Sequence, residues 1–200
     1  MKLKDVEVFI VAPPPPGWGG RYWIFAKLTT ACGVIGYGEI YASSVSPKAM
    51  VSIIEDVFQR HMQNESPENI ELMFRRVYSS GFTQRPDLTV MGAFSGLEIA
   101  CWDILGKVRD RPIWALLGGK MNERVRAYTY LYPLPHHDIL DFWTSPEMAA
   151  EAALDAVEKG YTAVKFDPAG PYTLRGGHQP AMTDISLSVS FCKEIRKAIG

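Results

Sequence analysis

The spacing of apolar residues changes along this chain, and that change constrains the fold more than any other feature. Residues 3–11, 21–30 and 34–41 are rich in β-forming side chains and are separated by stretches containing Pro or Gly, which predicts three strands, the last two joined as a hairpin. From residue 46 onward the apolar residues recur at helical spacing instead. From residue 124 strand-like and helix-like segments alternate, which is typical of a parallel α/β sheet or barrel. The chain is therefore predicted to contain two regions of different class.

Start and stop signals divide the helical part of the first region. Ser46-Pro47 and Ser66-Pro67 each place an N-cap residue before a proline, so each is predicted to open a helix. A third helix is predicted over residues 89–108, and a short one begins at Pro112 and ends at Gly118-Gly119.

The second region is predicted to hold two strand–helix units. Residues 124–132 and 161–166 are its strands, Ser145-Pro146 opens the helix between them, and Asp184 caps the helix that follows. The insert 168–184 between the second strand and its helix is longer than most such connections, and a functional loop and a disordered or oligomer-contacting loop are both open interpretations.

Two parallel strands with two helices do not make a closed barrel, which takes eight strands and about 250 residues. We therefore expect the chain to be the N-terminal part of a longer polypeptide. Its first domain would span residues 1–120, and residues 121–200 would be the first two βα units of a barrel. A complete protein with an unusually small sheet is the alternative.

Composition excludes several classes of protein. Lys plus Arg is 21 and Asp plus Glu is 22, so no domain-wide positive field exists to attract nucleic acid. The N-terminus is too polar for a secretory signal, and no apolar run reaches the roughly 20 residues of a membrane span. The cysteines are odd in number and far apart, which fits a reducing cytoplasm rather than a disulfide framework or a zinc site: Cys32, Cys101 and Cys192.

Three sequence motifs together resemble one family. They are the hairpin end at 33–39 (GVIGYGE), the helical run at 93–107 (AFSGLEIACWDILGK), and Pro112 followed by LLGG at 116–119. This combination resembles the mandelate racemase/muconate lactonizing enzyme family of the enolase superfamily. The resemblance implies an α+β capping domain followed by a (β/α) TIM-type barrel. It also implies Mg²⁺ held by carboxylates on later barrel strands, so that no metal ligand is expected within residues 1–200.

Lys165 and Asp167 are the predicted catalytic residues. Both lie on one side of the predicted strand, at the carboxyl end where barrel enzymes place their active sites. Lys165 matches the first lysine of the family's Lys-x-Lys motif, and Asp167 stands where racemases of the family have a lysine base. Lys165 would then bind a substrate carboxylate or tune a neighbour, and Asp167 would contact hydroxyls or transfer a proton. A solvated strand-end lysine and a turn-opening Asp-Pro are the alternatives.

Other candidates are predicted to contact the substrate. Residues 13–22 form a Pro- and Gly-rich loop that corresponds to the family's specificity lid, and Tyr132 ends the first barrel strand. The predicted contact residues are Trp18, Arg21, Tyr22, Tyr132, Arg175 and His178. The adjacent His136 and His137 are interpreted as surface-loop histidines, since neighbours on an extended chain point in opposite directions.

The resemblance implies a lyase: Mg²⁺-dependent abstraction of the proton α to a carboxylate, with dehydration of a sugar acid (an aldonate or aldarate) to a 2-keto-3-deoxy acid. An isomerase of the same superfamily, either a racemase/epimerase or a cycloisomerase, remains open. A non-catalytic oligomerisation or binding module is the alternative from another class. We expect a cytoplasmic homo-oligomer that binds neither nucleic acid nor membrane.

Overall fold

The structure is a computed structural model that describes residues 1–17, 20–41, 45–168 and 180–200. It contains two compact units, Met1–Met121 and Asn122–Gly200. Each unit has its own hydrophobic core and is described separately below.

The first unit begins with a three-stranded antiparallel sheet in the order β1-β2-β3. Its strands are β1 (Leu3–Val11), β2 (Trp23–Thr30) and β3 (Ile35–Ile40). Alternate residues of β2 are buried, and these are Ile24, Ala26, Leu28 and Thr30. This period of two is the pattern of a sheet with one face against a core. The predicted strands and hairpin are therefore confirmed.

Four helices follow among the described residues of the first unit. They are α1 (Pro47–His61), α2 (Ile70–Ser80), α3 (Leu88–Arg109) and α4 (Ile113–Leu116). The Ser46 cap is confirmed, since its Oγ accepts the Ala49 amide at 3.3 Å. The predicted start at Ser66-Pro67 is wrong. Ser66 instead begins a turn, because its carbonyl accepts the Asn69 amide at 3.0 Å. The helix begins only after that turn, at Ile70.

Glycines bring α3 into backbone contact with β3. A Cβ on Gly38 would lie 1.9 Å from the carbonyl oxygen of Gly96, and one on Gly36 would lie 2.1 Å from that of Ala100. A Cβ on Gly96 would in turn meet Ile40 at 2.1 Å. The hairpin and helix motifs thus share a physical purpose, which is to let a helix lie directly on a strand.

Helix α3 is the central helix of this unit. By length and composition it would suffice to cross a membrane. Its buried side chains instead pack with those of the sheet, α1 and α2 in a single core, as expected for a core helix. The predicted α+β arrangement of the first region is therefore confirmed.

The second unit holds a parallel two-stranded sheet and helices. Its elements are β4 (Thr129–Tyr130), α5 (Ile139–Phe142), α6 (Pro146–Glu158), β5 (Val164–Lys165) and α7 (Met182–Ile199). Alanines of α6 pack against Phe191 and Ile195 of α7. Helix α6 has its predicted cap, because Ser145 Oγ accepts the Met148 amide at 3.3 Å.

Two boundaries in this unit differ from prediction. The strands are shorter than 124–132 and 161–166, because the backbone ladder consists of a few bonds, ending with the Leu131 amide on the Lys165 carbonyl at 2.8 Å. Asp184 is not the N-cap of α7. It lies inside the first turn, where its carboxylate accepts the Ala181 amide at 3.0 Å.

Candidate functional site

The parallel pairing of β4 with β5 brings a cation and two aromatic rings together. Tyr130 pairs in register with Lys165, so their side chains share one side of the sheet. The Lys165 Nζ lies 5.7 Å from the centroid of the Tyr130 ring and 6.0 Å from that of Tyr128. Both distances are within the range of a cation–π interaction. Lys165 is an exposed residue, so its ammonium lies beside the rings and also faces solvent.

Tyr130 provides a neutral hydroxyl at this site. Burial raises the pKa of the Tyr130 phenol, and the nearby Asp167 carboxylate and Tyr132 raise it further. The phenol therefore stays protonated at neutral pH and keeps its O–H as a donor. Its ring also stacks on that of Tyr132, with centroids 5.1 Å apart.

Three of the predicted site residues therefore come from neighbouring segments of one unit. Tyr132 lies just beyond β4, Lys165 ends β5, and Asp167 follows two residues later. Tyr128 and Tyr130 were missed by sequence reasoning. The signal that could have found them is the alternation of tyrosines at 128, 130 and 132, which places three rings on one side of an extended chain.

Arg21 and Tyr22 lie in the first unit. They line a groove of about 320 Å³ together with Glu39 and Tyr41. The hydroxyl of Tyr22 donates to the carbonyl oxygen of Val45 at 3.1 Å, so this tyrosine also joins two segments of the unit. Arg21 is exposed. The predicted contact residues Trp18, Arg175 and His178 lie outside the described residues.

The prediction of surface-loop histidines holds for His136, whose side chain is 62% exposed, but not for His137, whose side chain is 3% exposed, and the two side chains do not point in opposite directions. The chain turns at this point, because the His137 amide donates to the carbonyl of Leu134 at 2.9 Å. The two rings consequently lie 4.5 Å apart between centroids, and both reach the carboxylate of Glu151 on α6. An extended chain was the assumption that failed.

This histidine cluster does not fit Mg²⁺. His136, His137 and Glu151 place their ligand atoms within 4.8 Å of one another, but two of the three are imidazoles. Mg²⁺ takes oxygen ligands, usually carboxylates and water. Ligands for a family Mg²⁺ ion are therefore not assigned to this cluster, and their location after residue 200 stays a prediction.

The family comparison and the structural comparison identify the same family. Residues 18–118 match the family described as mandelate racemase/muconate lactonizing enzyme, N-terminal domain. The structure is similar to that of a mandelate racemase/muconate lactonizing enzyme from Sulfitobacter sp., with 77% identity and a TM-score of 0.93 over 100% of this chain and 50% of that one.

Two curated relatives have names that specify a substrate class. The chain is 32% identical over 170 residues to a D-gluconate/D-galactonate dehydratase of Picrophilus torridus, covering 83% of this chain and 41% of the relative. It is 29% identical to the D-galactonate dehydratase family member RspA of Cellvibrio japonicus, covering 82% of this chain and 37% of the relative. The chain thus spans less than half the length of these relatives.

Proposed function

This chain belongs to the mandelate racemase/muconate lactonizing enzyme family, and on that premise we propose that the full-length protein is a sugar-acid dehydratase. It would remove the proton α to the carboxylate of an aldonate or aldarate, expel the neighbouring hydroxyl as water, and yield a 2-keto-3-deoxy acid. The observation that carries this proposal is the grouping of Lys165, Asp167 and Tyr130 at one edge of the β4–β5 pair.

Lys165 is proposed to bind the substrate carboxylate. Its ammonium lies against aromatic rings, which favour a cation and leave its N–H donors available to an anion on the remaining side. A cation beside the carboxylate also stabilises the negative charge that develops when the α-proton leaves. This role needs a positive charge near the strand end, and the two neighbouring rings favour that position for the exposed ammonium.

Asp167 and Tyr130 are proposed to form hydrogen bonds with the hydroxyl groups of the substrate. A carboxylate accepts hydrogen bonds, whereas the protonated Tyr130 phenol both donates and accepts them. Such mixed polar groups suit a polyhydroxy acid better than an apolar ligand. The names of the curated relatives, a D-gluconate/D-galactonate dehydratase and a D-galactonate dehydratase family member, support the same substrate class.

The remaining parts of the proposal concern the full-length protein. When bound, Mg²⁺ would supply positive charge to the enediolate formed by proton removal. Residues 121–200 are proposed to be the start of the barrel that follows a capping domain at residues 1–120. Arg21, Tyr22 and Trp18 are proposed to belong to the lid that contacts the substrate. We also propose a cytoplasmic homo-oligomer.

The experiment is a screen of aldonates and aldarates with full-length protein, with and without Mg²⁺, read out as 2-keto-3-deoxy product. Lys165→Met removes the cation and keeps the length of the side chain, so we expect kcat/KM to fall by about 100-fold. Lys197→Met is the matched control, because Lys197 is an exposed lysine of α7. Absence of product from every sugar acid would contradict the proposed reaction, and equal losses in both variants would contradict the role of Lys165.

A further inference from the structure

The connection from β4 to α6 is tied to α6 through a single carboxylate. His136 Nε2 lies 3.0 Å from Glu151 Oε1, and His137 Nε2 lies 3.0 Å from Glu151 Oε2. Both imidazoles lower the pKa of the Glu151 carboxyl, with His137 making the larger contribution. The carboxylate is therefore ionised at neutral pH and accepts one bond on each oxygen.

The hydrogen bonds of His137 define its tautomer. The backbone amide of Leu134 donates to His137 Nδ1 at 3.2 Å, so that nitrogen carries a lone pair rather than a proton. A neutral imidazole then has its proton on Nε2, where it points at Glu151. A metal ion at Nε2 would require the proton to move to Nδ1, against the Leu134 N–H. The contacts thus favour hydrogen bonding over a metal site. We call the bonds that join His137 to Leu134 and to Glu151 the clamp.

His137 is also enclosed by the connection that it ties down. Its side chain is only 3% exposed, against 62% for His136. The ring stacks on Phe142 of α5 with centroids 5.9 Å apart. Asp138 caps α5 through the amides of Leu140 and Asp141. The His137 side chain therefore contacts the turn through Nδ1, α5 through its ring face and α6 through Nε2.

We propose that His137 is a positioning residue for Tyr132. It closes the turn that begins two residues after Tyr132, through its own amide and its Nδ1, and its Nε2 ties that turn to Glu151. Loosening the clamp should let Tyr132 leave its stack on Tyr130. The consequence for activity rests on the proposed function, because only there does Tyr132 contact the substrate.

The clamp itself is tested without activity. Nitrogen-15 spectra of the imidazoles in the full-length protein should show His137 as the neutral Nε2–H tautomer. Amide exchange across residues 131–138 should be slow in the parent protein and faster in His137→Phe, which keeps a ring for Phe142 but loses both side-chain bonds. The clamp would be overturned by a proton on His137 Nδ1, or by amide exchange that is the same in His137→Phe as in the parent protein. It would also be overturned if the parent protein bound stoichiometric Zn²⁺ and Glu151→Gln did not.

Two further variants separate the two bonds of His137. His137→Asn retains an acceptor near the Nδ1 position, and His137→Gln retains a donor near the Nε2 position. We expect each to restore part of the slow exchange lost in His137→Phe. His136→Asn is the matched control, because it removes an exposed bond to the same carboxylate and leaves the turn closed.

Kinetics then test the positioning role. In His137→Phe we expect KM for the sugar acid to rise by about fivefold, with kcat changed by less than about twofold, and His137→Asn to lie between this variant and the parent. Faster exchange with an unchanged KM would overturn the positioning role while leaving the clamp. Absence of activity in the parent protein would count against the proposed function, and the spectra and exchange rates would still decide the clamp.

Discussion

The Cβ-free backbone at Gly38 allows β3 and α3 to touch. An added methyl group would meet the Gly96 carbonyl oxygen at 1.9 Å, and the obstacle is backbone rather than a flexible side chain. We therefore expect Gly38→Ala to lower the free energy of unfolding by about 3 kcal/mol, since strand and helix must separate. Chemical unfolding followed by circular dichroism measures this loss.

The control is Gly92, a glycine of α3 that does not lie against β3. A Cβ on Gly92 meets nothing within 4 Å in the described part of the chain. Gly92→Ala should therefore raise the free energy of unfolding by about 0.5–1 kcal/mol, because alanine loses less backbone entropy in a helix. Similar effects of the two substitutions would show that close packing is not what selects glycine at position 38.

His61 makes stability depend on pH. Burial lowers the pKa of its imidazole from the ordinary 6.5, the positive charge of Arg60 lowers it further, and Asp56 opposes the shift. Its Nε2 is buried with no hydrogen-bond partner among the described residues. Below pH 6.5 the unfolded chain takes up a proton that the folded chain resists, so the free energy of unfolding falls as pH decreases.

His61→Gln should flatten that dependence. The glutamine does not titrate, so the difference in unfolding free energy between parent and variant should change between about pH 7.5 and 5. Urea unfolding at several pH values measures this difference. The contributions of the other histidines cancel in it because both proteins contain them. A difference that stays constant with pH would contradict the assignment to His61.

At the scale of elements, N-caps determine where helices begin. Ser46 Oγ accepts the amide of Ala49 at 3.3 Å, which satisfies one donor of the first turn of α1. Ser46→Ala should cost about 1 kcal/mol of unfolding free energy. Ser52→Ala is the same chemical change inside α1, where the hydroxyl only donates back to Lys48, and should be neutral or slightly stabilising. Equal losses would mean that the cap contributes nothing specific.

Elements with a local signal were predictable from the sequence. The alternation of β2 and the caps at Ser46 and Ser145 depend on residues close together in the chain, and the structure has them as expected. The Ser66-Pro67 signal failed because the same residues also suit a turn. Helix α5 was missed because four residues are too few to show a helical period, although Asp138 caps it.

The candidate site was predictable in part for the same reason. Lys165 and Asp167 are predicted because strand ends carry function in barrels, and their roles stay a prediction. The partnership of Lys165 with Tyr130 depends on the register between two strands, which no local pattern gives. Glu151 is not predicted from the sequence because a turn brings His136 and His137 to it across 15 and 14 positions of the chain, respectively.

At the scale of the whole molecule, family membership leaves the reaction to be decided. The chain covers 50% of a solved relative and 41% of a curated one, so the choice between reactions is tested on the full-length protein. Dehydration and racemisation share the first step, removal of the α-proton. They differ in the second step, because a dehydratase expels the β-hydroxyl whereas a racemase returns a proton to the opposite face.

Deuterium oxide separates these outcomes in the full-length protein. A racemase would incorporate deuterium at the α-carbon of recovered sugar acid, because the intermediate is reprotonated from solvent. With Asp167 in place of the family's second lysine, we expect recovered substrate to keep its α-proton and its configuration while the 2-keto-3-deoxy product accumulates with deuterium at C3. Nuclear magnetic resonance of both species measures this directly. Recovered substrate that has gained α-deuterium and inverted its configuration, with no keto acid formed, would assign the protein to the isomerases. The second step would then be return of a proton rather than loss of water.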